Sequence, residues 1–479
     1  MGKVSIADLA ALKENEQIEL KRCGEKIPLS FYETYSAMAN GSGGDIYLGI
    51  TEGEEENVIS GVENAPQKKK QLANALSNKT KIANVSFQDS DIEIIDADNG
   101  KKIIRVHVEP VPMDARPVYL DGDPGKAYKR VAEGDKKLDE NEISALINDA
   151  SKTKYDQRPN SLDFDEQDLD EAAVTLFIDL VKAASKIPFA GSLSSKELLT
   201  RIGAYVYDKT TRELKLTNAA VLFLGKSYAV NSLCPSLWMD YQEKRDTGLR
   251  FDTRITIKDI SNETNIFHFY YRVLSRLKEV LPSPFYLEGE TNVGWRVLFE
   301  AVREALANAI SNVELFTGQG LTIIKIPNGI SFTNAGGLLT GLEQARRGGV
   351  SAPRNPGLFS FFLAMGISDH GGYGIPNIFE SMRKLNMSEP ELSESASRDL
   401  TRLSLSFIRV SRQFSPLQKR AIAFLSSSEG MSSKEIADHL GISMETARTL
   451  LLSLMEKGIV SDNGKPRKGK LYFLSSSLD

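Results

Sequence analysis

Cysteine is almost missing from this chain. Cys23 and Cys234 are the only two in 479 residues and lie far apart in sequence, which argues against a disulfide scaffold and a cysteine-built zinc site. Histidine is nearly as scarce: His107, His268, His370 and His439 are scattered without ligand spacing, so a zinc site is not expected. No run of about 18 apolar residues occurs, so no membrane span is expected. The opening MGKVSIADLAALKENEQ lacks the basic start and apolar core of a signal peptide, and a cytoplasmic location is expected. No G-x-x-x-x-G-K-[ST] run is present, which removes a P-loop motor. Positive charge is not in excess either: the net charge of −5 excludes a globally basic nucleic-acid binder, so any nucleic-acid site must be a local patch.

What is present is ordinary for globular proteins, with 41% apolar and 26% charged residues. A chain of 479 residues exceeds one hydrophobic core, and two to four domains are expected. The polar, aperiodic stretch NDASKTKYDQRPNSLDFD (148–165) reads as a linker. A second break falls at SRQFSPLQ (411–418), where a strand-like stretch gives way to a Ser-Pro helix start. The expected domains are residues 1–150, 165–411 and 415–479.

In the last of these, MSSKEIADHLGISMETARTLLLSLMEKGIV reads as two helices separated by Leu440-Gly441-Ile442-Ser443, with Ser432 or Ser433 and Ser443 as N-caps. Ile436, Ala437 and Leu440, then Ala447, Leu450, Leu451 and Leu454, recur at helical spacing and should form a shared core. Ser443, Thr446, Arg448 and Thr449 are left facing outward early on the second helix. IVSDNGKPRKGKLYFL follows as a hairpin whose tip carries Lys465, Arg467, Lys468 and Lys470. The segment resembles the winged-helix domains of bacterial transcription regulators. That resemblance implies that the second helix reads the major groove and the basic tip touches phosphates. A winged helix used for protein contacts or dimerisation is the alternative.

At the other end, ENEQIELKR (14–22) alternates like a strand, and FYETYSAMANGSGGDIYLGITE (31–52) reads as a helix, a break at Asn40 to Gly44, and an apolar strand. The pattern E-x-x-x-x-E-x-K, a helix ending in A-x-A-N-G-x-G-G and a strand ending in G-I-x-E resemble the AlbA-type Schlafen domain. KKIIRVHVEP, RPVYL and KAYKRVAEG, with Tyr128 and Arg130, extend the resemblance over residues 4–149. It implies nucleic-acid binding and, in some members, a metal-dependent nuclease. The three carboxylates of that activity fall on Glu14, Glu19 and Glu52, with Lys21 against the scissile phosphate. The plain alternative is a surface pair, Glu19 and Lys21, two apart on one strand face.

In the middle stands REALANAISN (303–312), which puts Glu304 and Asn308 one helical turn apart among alanine, leucine and isoleucine. LTIIKIPNGISFTNAGGL (321–338) then reads as two strands joined at Pro327-Asn328-Gly329, followed by a glycine pair. A second glycine cluster, Gly371, Gly372 and Gly374, precedes a helix. This order resembles a divergent GHKL ATP-binding fold. The resemblance implies Glu304 as general base, Asn308 as the Mg²⁺ ligand, and Asn334, Gly336, Gly337, Gly372 and Gly374 around ATP. Asn334 stands where GHKL enzymes place an adenine-binding Asp, and Asn312 and Val313 stand where the divergent family commonly has His-Arg.

Together these readings predict a multidomain α/β and α+β chain: a Schlafen-like α/β domain, a GHKL-like α/β sandwich and a winged helix-turn-helix. The resemblances imply a DNA-binding transcription regulator, homodimeric, with ATP and Mg²⁺ or another nucleotide effector as its input. The alternative is a metal-dependent nuclease of the Schlafen type, acting in phage defence.

Overall fold

In a computed structural model of the chain, the residues described are 9–53, 56–97, 99–131, 134–244, 252–259, 264–368, 371–395, 399–409, 414–426, 430–456, 459–465 and 469–474. Described residues up to Lys152 form one compact unit and those from Thr153 onward form another.

In the first unit, strand β1 (Ile18–Lys21) leads through helix α1 (Ser30–Asn40) to strand β2 (Gly44–Leu48), which pairs parallel with β1. After helix α2 (Ala65–Ser77), strands β3 (Ile92–Asp96) and β4 (Lys102–Val108) complete a mixed sheet of order β1-β2-β4-β3. Phe31, Tyr35 and Met38 of α1 pack with Ile46, Leu48, Leu72, Ile104 and Val106 in its core. The helix breaks where the sequence predicts. Gly43 has φ +75, and a Cβ there would sit 2.5 Å from the Val108 carbonyl oxygen, so only glycine suits the turn. Asn40 is buried because its amide is fully used: Nδ2 donates to the Val118 and Tyr128 carbonyls (2.9 and 3.0 Å), and Oδ1 accepts from the Val118 N–H (2.7 Å). Beside it runs the hairpin of β5 (Tyr128–Val131) and β6 (Gly134–Lys137).

The second unit begins with helices α3 (Glu171–Ala184) and α4 (Asn218–Leu224). The apolar stretch 214–226 takes two forms in turn. It is a strand end and then a helix, divided at Thr217, whose hydroxyl accepts the Ala220 N–H as N-cap. Strands β7 (Met239–Glu243) and β8 (Thr253–Thr256), helices α5 (Ile266–Val280) and α6 (Gly294–Asn312), and the hairpin β9 (Leu321–Ile326) and β10 (Gly329–Ala335) follow. Helices α7 (Pro356–Ala364) and α8 (Gly374–Lys384) then precede strands β11 (Glu391–Ser395) and β12 (Leu400–Ser406). The six strands form one sheet of order β8-β7-β9-β10-β12-β11, in which the β7–β9 pair alone is parallel. Phe177, Phe223, Phe267, Phe361 and Phe362 interlock at the centre of the helical layer. Mixed sheets covered by helices give the α/β and α+β class expected.

The C-terminal segment adds helices α9 (Pro416–Ser426), α10 (Ser433–Leu440) and α11 (Met444–Glu456) and the antiparallel pair β13 (Val460–Asp462) and β14 (Tyr472–Leu474). Ser432 caps α10 in a reciprocal box with Glu435, and the Ser443 hydroxyl accepts the Thr446 N–H. Ile436, Leu440, Leu450, Leu451 and Leu454 share one core with Ala421 and Ile422.

One buried carboxylate ties distant parts of the second unit together. Asp156 is fully buried and accepts the Leu358 N–H (2.9 Å) at the start of α7. Burial pushes its pKa up to about 6 from 3.8, against the lowering effect of the backbone N–H groups. A raised carboxylate stabilises the fold fully below its unfolded pKa and loses that contribution as pH climbs through the folded value. The stability difference between parent and Asp156→Asn should therefore fall between about pH 4 and about pH 6, by about 3 kcal/mol. Urea unfolding of both proteins across that range checks it; a pH-independent difference would show that Asp156 keeps its charge.

Candidate functional site

Three groups of predicted residues are placed by different elements, and each is best taken where its strands or helices put it. On β1, Glu19 and Lys21 project from one face, two residues apart, and Lys21 Nζ lies 2.6 Å from Glu19 Oε1. Arg130 of β5 reaches the same carboxylate, with Nη2 2.8 Å from Glu19 Oε2, while Nη1 holds Asp135 at 2.9 Å. Arg130 is buried, and its remaining contact is the Asn15 carbonyl at 2.8 Å. Glu14 accepts the Leu20 N–H at 2.9 Å. Its pKa is raised, first by burial and further by the negative charges of Glu19 and Glu52, against the pull of the Leu20 hydrogen bond and Lys21.

The three carboxylates thus share a neighbourhood, with Glu52 exposed at its edge. They do not make a cation site as arranged: both Glu19 oxygens face cationic side chains, and a divalent ion would have to displace Arg130. Among the described residues no group of three His, Cys, Asp or Glu side chains is placed to hold a metal ion. Sequence reasoning noted Arg130 as part of a motif but not as the partner of Glu19. The signal was available in the alternation of KAYKRV, which puts Tyr128 and Arg130 on one strand face.

In the second unit α6 carries Glu304 and Asn308 on its half-buried side, while Ala301, Val302, Ala305, Leu306, Ala309 and Ile310 face the core. The two polar heads meet each other. Asn308 Nδ2 donates to Glu304 Oε1 at 2.9 Å, and the Ser368 hydroxyl donates to the same carboxylate at 3.0 and 3.1 Å. That leaves Asn308 Oδ1 as the atom a Mg²⁺ ion would use. A cavity of about 290 Å³ opens beside Glu304, lined also by Lys186, Arg303, Ser368, Gly374 and Asn377.

The glycines have protein neighbours. A Cβ on Gly374, at the start of α8, would collide with Glu304 Oε1 and lie 2.8 Å from Asn308 Nδ2. Gly372 has φ +67 and abuts the Val350 backbone. Gly336 has φ +91, and the space a side chain would take there is occupied by the Arg354 guanidinium. Gly337 offers its carbonyl to Arg354 Nη2 at 2.8 Å. Asn334 is buried, with Nδ2 toward the Asn312 and Ala335 carbonyls. The Glu304–Asn308 pair thus bonds within itself and to Ser368, and the Asn334, Gly336 and Gly337 positions lie against Asn312 and Arg354. Arg354 was not singled out in sequence; only the fold brings it under the glycine pair.

On α11, Ser443, Thr446, Arg448 and Thr449 are all exposed, while Ala447, Leu450, Leu451 and Leu454 are buried. Lys465 is exposed, and Lys470 pairs with Asp462 at 2.7 Å across the hairpin. That pairing raises the Lys470 pKa, through the Asp462 hydrogen bond above all. Arg467 and Lys468 lie outside the described residues.

Comparison with known families agrees with part of this. Residues 14–139 match the family model described as "Schlafen, AlbA_2", and residues 318–402 match "Putative ATP-dependent DNA helicase recG C-terminal". Residues 144–240 match a domain of unknown function. The chain contains a Schlafen/AlbA_2 domain and an ATPase-like domain of the recG C-terminal type. The latter match takes in Asn334, both glycine clusters and Arg354 but begins after Glu304 and Asn308. No curated protein matches the chain. Among solved structures, the DIP2311 protein from Corynebacterium diphtheriae is similar at 15% identity over 97% of each chain, with a TM-score of 0.41. No helix among the described residues is long and apolar enough to cross a membrane.

The tight seat of Gly374 on Glu304 generates a test. Gly374→Ala should push the Glu304 carboxylate off Ser368 and Asn308 and lower stability by about 1–2 kcal/mol. Removing Glu304 makes room for the methyl group, so Glu304→Ala/Gly374→Ala should be more stable than the sum of the single changes by at least about 0.5 kcal/mol. Additive urea midpoints would mean that the two residues do not touch.

Proposed function

We propose that this protein is a DNA-binding transcription regulator that reads duplex DNA with α11. The observation that carries the reading is the division of that helix, with four polar residues exposed on one side and four apolar residues buried on the other. Helices α9, α10 and α11 with the β13–β14 pair form a winged helix in this reading. Ser443, Thr446, Arg448 and Thr449 meet base edges in the major groove, and Lys465 and its neighbours at the hairpin tip meet phosphates. The Schlafen/AlbA_2 domain supplies a second nucleic-acid contact. One such module buries too little surface to be selective among genomic sites, so the regulator acts as a homodimer on paired half-sites. The net charge of −5 is no obstacle, since phosphate contact needs a basic patch, not a basic protein.

The two kinds of contact separate experimentally once selection from random duplexes has given a preferred site. Arg448→Ala should weaken that site by about 1–3 kcal/mol and leave random duplex nearly unaffected. Lys465→Ala should weaken both alike and reduce the salt slope by about 0.9. Equal, small effects of both changes on both duplexes would assign the three helices to protein contacts instead.

The metal-dependent nuclease remains a second reading because the Glu14 carboxyl feels the negative charges of Glu19 and Glu52. With Glu19 held by Lys21 and Arg130, parent and Glu19→Ala should both leave single- and double-stranded RNA and DNA intact in Mn²⁺. Cleavage by the parent that disappears in Glu19→Ala would establish the nuclease and demote the regulator.

A further inference from the structure

We propose that the Gly336–Gly337 turn is a socket for a guanidinium group, filled by Arg354, and that it therefore does not accept the base of an adenine nucleotide. Arg354 is 2% exposed. Its Nη1 donates to the Asn312 carbonyl and its Nη2 to the Gly337 carbonyl, both at 2.8 Å. The plane of the group lies where any Gly336 side chain would have to go, so the glycine and the arginine require each other.

The socket is also fixed from the sheet side. The Gly336 N–H donates to the Asp399 carbonyl at 2.7 Å, and the Thr401 hydroxyl donates to the Gly336 carbonyl at 2.8 Å. The turn thus cannot widen without breaking its connection to β12. The opposite wall is the end of α6, where the Asn312 amide nitrogen is tied to the Asn308 carbonyl at 2.9 Å and its Oδ1 accepts the Arg354 backbone N–H. The walls present inward the carbonyl oxygens of Asn312 and Gly337. They select a flat group with N–H donors on adjacent corners, which describes a guanidinium. An ammonium of the same charge gathers its three N–H groups on one nitrogen and lacks the flat edge with two nitrogens.

Truncating the side chain should turn the filled socket into a receptor for the missing group. Arg354→Ala should melt below the parent, and millimolar methylguanidinium should raise its melting temperature while leaving the parent unmoved. Tetramethylammonium at the same concentration, with equal charge and no N–H, should move neither protein. A variant that methylguanidinium does not stabilise overturns the socket. A direct titration of the full-length parent needs no variant: with ATP and Mg²⁺, no saturable binding that free adenosine displaces is expected. Such binding, whether or not Arg354→Ala folds, would overturn the proposal.

Discussion

The end of α6 sets the terms for the second unit. A helix of 19 residues leaves its last carbonyls without partners inside the helix, and here they are buried. Arg354 and Asn355 satisfy three of them in succession: the Asn355 N–H donates to the Ser311 carbonyl at 2.8 Å, Arg354 Nη1 to Asn312 at 2.8 Å, and Asn355 Nδ2 to Val313 at 2.7 Å. A cation at a helix C-terminus is also favoured by the helix dipole. Because Pro356 starts α7 directly afterwards, the same two residues fix where α7 begins, and Asp156 completes that start. Loosening this knot would take from the Ser311, Asn312 and Val313 carbonyls the donors that satisfy them.

The C-terminal helices share this unit. Ile408, just past β12, belongs to their core, and the His439 ring stacks on Phe424 with centroids 3.6 Å apart while its Nε2 pairs with Glu391 of β11. The side of α10 that carries His439 is thereby held against the sheet edge, and the polar side of α11 is left outward. The electrostatics of this edge extend inward: Arg402 of β12, whose pKa is lowered by burial, is acted on by the same Glu391 charge. The proposed DNA-reading helix is in this way mechanically continuous with the ATPase-like domain.

Local features were legible in sequence because they depend on neighbours within a few residues. The hairpin at Pro327 and Asn328, the serine caps of α10 and α11, the break after Asn40 and the pairing of Glu19 with Lys21 all follow from spacing and turn chemistry. Through-space pairing was not legible. Asp156 and Leu358 are 202 residues apart, and Arg354 reaches Asn312 across 42; nothing in the local pattern of either arginine or aspartate names its partner. The lysine-rich hairpin tip shows a milder form of the same limit. Four cations within six residues predicted phosphate contacts, but their spacing does not name Asp462 as the acid beside Lys470.

The glycines make the most instructive case, since the sequence marks their positions without naming what approaches them. A glycine marks a place where something approaches the backbone closely or where φ turns positive. It does not say what approaches. At Gly336 the visitor is the Arg354 guanidinium, at Gly372 the Val350 backbone, and at Gly374 the carboxylate of Glu304. Each close approach is made by this chain itself, and each joins a segment that the ATP-binding resemblance would leave facing a ligand. Two adjacent glycines and a second cluster farther on therefore have a sufficient structural cause in the sealing of α6 against the loops that follow β10.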